Sequence, residues 1–316
     1  MRVTNRMISD NVYRNASMHL EKMEKLQNQL ASGKAITKPS DDPTAVNQSM
    51  LLRNTLSDQD QFGKNINQAV TWLQTTDQTI NSAQTVLTRA RELATQGANG
   101  TNSQAGLDAI AAEVKQLKSE LRGIANTQLA GRYLFNGSQT LQEPYPDFAA
   151  YVSPPAARVP SYPSPASTPI AGKLDNVDSL QSEIGPNVTI QYNVTGADVF
   201  GATTDPNNAF EVLDQLSYAL EQGDTGTVSN LIGSLESRVD AMSLKRAELG
   251  GKENRADLLK QRYSDSEVSI QSLLSSYEDV DMPKVISQLN LSQTVYQASL
   301  AASAKIVQPT LMDFLK

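Results

Sequence analysis

Few residues in this chain could do covalent or metal chemistry. A single histidine, His19, would have to serve every catalytic triad or His-ligand metal site, and with no cysteine there is no thiolate nucleophile, disulfide or Cys-ligated zinc. His19 lies between Ala16 and Met23 on one helical stripe, the place of a partly buried structural histidine rather than of a base or ligand. Ser32-Gly33-Lys34 has the tail of a phosphate-binding loop, but Ala35 stands where Ser or Thr is required and no glycine or strand precedes it; the residues read as a helix corner. Asp41 and Asp42 could be paired carboxylates, yet directly before Pro43 they are better explained as helix caps. Asn-X-Ser/Thr sequons occur, such as those beginning at Asn136, Asn187 and Asn193. Ser, Thr, Asn and Gln together number 100, so chance accounts for them. No active site assembles, and the expectation is a protein with no catalysis, no cofactor and no metal.

Proline marks the elements that hold these residues, because it is excluded from helix interiors. Ten of the 14 prolines lie between Pro144 and Pro206, and none lies between Thr44 and Glu143 or between Asn207 and Met282. Two long flanks can therefore be helical and the middle cannot. Apolar residues at alternating steps of three and four mark helices packed in coiled-coil fashion. Val12, Ala16, His19, Met23, Leu26 and Leu30 form a first seam that stops at Gly33. After a polar corner from Pro39 to Pro43, a second seam runs through Ile66, Ala69, Leu73, Thr76, Ile80, Ala83, Leu87, Ala90 and Ala94. That helix, from Pro43 to about Gln96, would be roughly 80 Å long. The chain turns back at Gly97 to Ser103, and Leu107, Ile110, Val114, Leu117, Leu121 and Ile124 mark a third helix. Arg132 to Leu141 reads as a hairpin around Asn136-Gly137.

Beyond the middle, Leu213, Leu216 and Leu220 mark a short helix. Val228, Leu235, Met242, Leu249, Ala256, Tyr263, Ile270 and Tyr277 then recur every seventh residue. The companion positions include Arg246, Glu253, Lys260 and Glu267, so half of this seam turns charged and implies a wet or heterologous neighbour. After Pro283 a last helix carries Ile286, Leu289, Tyr296, Leu300, Val307 and Phe314. The terminal stripes lie outside the paired long helices, which suggests that they pair together, within or between subunits. The expected subunit interface is Val12, Met23, Leu26, Leu30, Ile286, Leu289, Tyr296, Leu300, Val307 and Phe314.

Charge narrows the partners. With 27 basic and 34 acidic residues, a net of -7 and no Lys/Arg cluster, nucleic acid and anionic membrane are poor partners. No apolar run approaches the roughly 18 residues of a membrane span, and Met1 to Leu20 lacks the apolar core of a cleaved signal peptide. Ser138 to Asp205 holds two basic and seven acidic residues, so most of the net charge sits on the middle. There Val188, Ile190, Tyr192 and Val194 alternate with polar residues as a half-buried strand does, and six prolines from Pro154 to Pro169 suggest an extended loop. The fold class is mainly α with a β-rich insert: an elongated antiparallel helical bundle or coiled coil plus a small outer β domain. The expected divisions are an amino-terminal helix (1–42), a helical rod with a hairpin (43–141), an acidic Pro-rich β domain (142–205), a second rod segment (206–282) and a carboxyl-terminal helix (283–316).

Leu26 to Val46, reading LQNQLASGKAITKPSDDPTAV, resembles the amino-terminal signature of the bacterial flagellin superfamily. LGGKENRADLL from Leu249 and the stretch from Ser275 to Lys316 resemble its other end. GRYLFNGS at Gly131 to Ser138 and the Pro39-Ser-Asp-Asp-Pro43 corner are similar to the hook-associated, junction-forming branch of that superfamily rather than to filament flagellin. The resemblance implies a rod-like structural adaptor with both terminal helices in an inner tube and the insert facing outward. It further implies a ring-like homo-oligomer, export through the flagellar type III channel to the extracellular flagellum, and three partners: hook-associated protein 1, flagellin and an export chaperone. The alternatives are a filament-forming flagellin and, from another class, a coiled-coil signalling domain, which would need a membrane anchor. An enzyme in the middle segment would depend on carboxylates alone.

Overall fold

A computed structural model describes residues 5–146, 178–202 and 205–306. Helix α1 (Asn5–Ser32) ends where Gly33 takes φ +70 and donates its N–H to Gln29 O at 2.9 Å. The Asp42 carboxylate then accepts the amides of Thr44 and Ala45, both at 3.0 Å, and with Pro43 in first position this starts α2 (Pro43–Gly97), 55 residues without a break. Ser103 caps α3 (Gln104–Ala125). Two-residue strands β1 (Gln128–Leu129) and β2 (Arg132–Tyr133) follow, then β3 (Gln181–Gly185) paired antiparallel with β4 (Val188–Gln191). Thr195 and Asp198 form a reciprocal cap on α4 (Gly196–Phe200), and Asn208 caps α5 (Ala209–Glu221). The chain closes with α6 (Thr225–Glu278) and α7 (Met282–Ile306). Among the described residues the fold is mainly α with two small antiparallel sheets, as the periodicity implies.

The hairpin turn sits six residues earlier than the Asn136-Gly137 signal places it. Gln128 pairs with Tyr133 and Leu129 with Arg132, so the turn residues are Ala130 and Gly131, at φ +51 and +77. A two-residue turn of this twist needs positive φ at both positions, and here alanine accepts it. Asn136 is instead buried, its amide donating to Gln139 O at 3.0 Å and Gln142 O at 2.8 Å, so it closes a loop from inside.

The chain forms two compact units, Met1–Gln59 with Ser264–Lys316, and Asp60–Tyr263. The second holds the main core. Every residue of the expected seam from Ile66 to Ala94 on α2 is buried, and on α6 the heptad positions Val228, Leu235, Met242, Leu249 and Ala256 are buried with them. Leu107, Ile110, Val114 and Leu121 of α3 and Leu213, Leu216 and Leu220 of α5 complete it. At one side Phe135, Tyr145, Phe200 and Phe210 meet with ring centroids 4.8 to 5.6 Å apart. The described part of the expected outer domain has no core of its own. Ile184 and Ile190 pack with Ile66 and Ala69 of α2 and Ala256 of α6, and Tyr263 donates its hydroxyl to Ile184 O at 2.7 Å. The physical reason is area: a four- to five-residue ribbon cannot bury enough apolar surface alone and leans on the helices. The proline-rich stretch from Pro154 to Pro169 lies outside the described residues.

Candidate assembly surface

The residues singled out for chemistry are all structural. His19 is half-buried on the inner stripe of α1. The Asp41 carboxylate accepts from Lys25 Nζ at 2.8 Å and from the amides of Lys38 and Thr37 at 3.0 and 3.2 Å. The Lys25 ammonium first, and then those two amides, hold it well below the ordinary carboxylate range. It pins the corner, while Asp42 caps. Of the three sequon asparagines named above, Asn136 and Asn193 are buried and hydrogen-bonded, and Asn187, at φ +58 on the β3–β4 turn, is exposed. Among the described residues no three His, Asp or Glu side chains could together hold a metal ion.

Lys34 has a partner that no local pattern announces. Its Nζ lies 2.8 Å from Glu278 Oε2 at the last turn of α6, and Arg53 on α2 grips the same carboxylate, Nε to Oε1 at 2.8 Å and Nη2 to Oε2 at 2.5 Å. The Glu278 side chain is buried, and the bonds from Arg53 and then Lys34 outweigh burial and lower its pKa to about 2. Two backbone bonds run beside it, Ala35 N–H to Glu278 O at 2.6 Å and Val280 N–H to Gly33 O at 3.1 Å. The connector after α1 is thereby clasped to the connector before α7. Sequence reasoning missed this because the partners lie 244 and 225 residues apart.

Past that clasp, α1 and α7 pack against each other. On α1, Leu26 is buried and Val12, His19, Met23 and Leu30 are half-buried. On α7 the inward positions are Val285 and Ser292, both buried, with Leu289, Tyr296 and Ser299 half-buried. Ile286 and Leu300 are 47% and 44% exposed, one position away from that line. Val307 and Phe314 lie outside the described residues. At about 100° per residue, Met282, Ile286 and Leu300 fall on one flank of the buried line and Leu291 and Val295 on the other, and all five are exposed. Tyr13 and Leu20 on α1 are exposed on one flank of its stripe and Met18 on the other. Thus each terminal helix buries its centre line inside the chain and leaves an apolar strip open on both sides.

Comparison with known proteins agrees in chain order. Residues 3–140 match the bacterial flagellin N-terminal helical region, and residues 232–315 match the bacterial flagellin C-terminal helical region. Together the two matches span well over half of the chain. It belongs to the bacterial flagellin family. Its flagellin-type ends are α1 to β2 on one side and most of α6 with α7 on the other, so the clasp and both terminal helices fall within the matched regions. The chain is 26% identical over 323 residues to a flagellin of Bacillus subtilis, covering 98% of this chain and 97% of that one. It is 23% identical over 325 residues to flagellar hook-associated protein 3 of Escherichia coli, covering 96% of each. In fold it is similar to flagellar hook-associated protein 3 of Legionella pneumophila, with a TM-score of 0.58 at 13% identity over 72% of this chain and 98% of the other. The flagellin family is one of structural proteins rather than enzymes, and no described helix is long and apolar enough to cross a membrane.

Proposed function

We propose that this chain is the adaptor that joins the flagellar hook to the flagellin filament, the role of a hook-associated protein 3. The observation that carries the reading is the pair of terminal helices with apolar strips open on both flanks. A surface with two distinct open sides fits a heterologous, ring-closing contact in which every copy touches two neighbours. In that ring Val12, Met23, Leu26, Leu30, Leu289 and Tyr296 hold the helix pair, Ile286 and Leu300 face adjacent copies, and Val307 and Phe314 continue the seam. Hook-associated protein 1 would lie on one side and flagellin on the other, with an export chaperone holding the open carboxyl-terminal strip before type III secretion to the extracellular flagellum. The choice of junction protein over flagellin is supported by Gly131 to Ser138 and the Pro39 to Pro43 corner, and by the match to the Escherichia coli protein along 96% of both chains.

A filament-forming flagellin is the second reading, favoured by the slightly higher identity to the Bacillus subtilis flagellin. Electron microscopy of cells lacking this chain separates the two. Hooks without filaments, with flagellin shed into the medium, are the expected result. Normal filaments on the deleted strain, or long filaments formed by the purified chain alone, would overturn the junction reading.

A further inference from the structure

The seam on α6 repeats every seven residues, and such a seam is degenerate: sliding α6 along α2 by one heptad, about 10 Å, sets apolar rows on apolar rows again. The polar groups between the two helices are not periodic. Arg246 donates from Nε to Asp77 Oδ1 at 2.8 Å and from Nη2 to Asp77 Oδ2 at 3.2 Å, while its Nη1 reaches Asn81 Oδ1 at 2.8 Å and Gln84 Oε1 at 3.0 Å. Gln84 in turn donates to Val239 O at 3.1 Å and Ser243 Oγ at 2.8 Å. Seven residues beyond Arg246 stands Glu253, and seven before it stands Val239. A slip in one direction would set Glu253 against Asp77, carboxylate on carboxylate. A slip in the other would set Val239 there and leave a half-buried aspartate without its cation.

We infer that Arg246 with Asp77, Asn81 and Gln84 is the register-determining layer of the α2–α6 pair, the element that fixes which heptad of one helix meets which turn of the other. Replacing a half-buried ion pair by apolar residues is often neutral for stability, so the layer acts through specificity rather than strength.

The chain has no cysteine, so cysteines introduced at Thr95 and Leu258 take nitroxide labels without competition; both positions are exposed and outside the layer. Because Arg91 on α2 faces Glu236 on α6, the two labels lie far apart along the pair and their separation follows any slip almost fully. Pulsed electron spin resonance on the full chain should give one distance in the parent. Arg246→Leu should add a second population displaced by about 10 Å. Adding Glu253→Arg, which would meet Asp77 after the slip, should make the displaced population the main one. Unchanged single distances in both variants would overturn the assignment. Circular dichroism on the same samples guards against misfolding: loss of helix in Arg246→Leu leaves the double variant to decide. Loss in both also overturns it, because a layer that only sets register is dispensable for folding.

Discussion

Glu278 shows what a single side chain does here. Its burial is tolerated only because Lys34 and Arg53 both reach it. The folded-state pKa of about 2 lies below the ordinary 4.5, so its stabilisation is fully present above pH 4.5 and is lost as pH falls through about 2. Both cations are about half exposed, which screens the pair and discounts the figure to roughly 1–3 kcal/mol. Glu278→Gln should remove that amount at neutral pH. The amides of Ala35 and Val280, which bond across the clasp, should then exchange about 10- to 100-fold faster. Their protection in the variant should also lose the acid dependence seen in the parent between pH 4.5 and 2, apart from the contribution of Asp41, whose pKa is likewise lowered. Unchanged protection at both amides would show that the backbone bonds hold the connectors without Glu278. The sequence placed Asp42 correctly as a cap, since capping is read within three residues. It could not place Glu278, whose partners are brought in by tertiary structure.

At the level of elements, α1 and α7 separate two kinds of apolar residue that look alike in sequence. Leu26 is 5% exposed and Ile286 and Leu300 are near half exposed. Leu26→Ala should destabilise the helix pair by about 2–3 kcal/mol, seen as early loss of helix signal from the terminal unit on heating. Ile286→Asp with Leu300→Asp should leave that melting transition within about 0.5 kcal/mol of the parent. In cells the same double variant should abolish filament attachment, if the open strips are the contact between copies. Motile cells with normal filaments would sink that role. The seven-residue spacing identified the helix but fixed its inward line only to within one position, because a 3.5-residue repeat and a 3.6-residue helix drift apart by about 20° per heptad. Val285 and Ser292, a valine and a serine, hold the inner line that larger neighbours suggested for themselves.

For the whole molecule, the middle segment divides into parts with different consequences. Replacing 147–177 with a short Gly/Ser linker removes nothing from the described cores, and export and motility should persist. Extending the replacement to 142–205 also removes Ile184, Ile190, Tyr145 and Phe200, each of them buried. At roughly 1.5–3 kcal/mol for each large buried side chain, that deletion should unfold or severely destabilise the unit from Asp60 to Tyr263. Thermal melts of the two purified deletions test this, and equal stability would mean that the strands and aromatic cluster are passengers.

By itself the sequence determined the long helices, the extent and seam of α2, the corner before it and the lack of any cysteine and of all but one histidine. Each of these rests on local periodicity, proline exclusion or residue type, which act over a few turns of chain. Only the tertiary structure decided that Arg246, a charged position of the α6 seam, faces Asp77, Asn81 and Gln84 of the same chain. It also decided that β3 and β4 lean on α2 and α6, and that Glu278 ties together connectors from opposite ends of the sequence. Those outcomes depend on which distant surfaces meet, and a seam that repeats every seven residues leaves that choice open until unlike polar groups select one register.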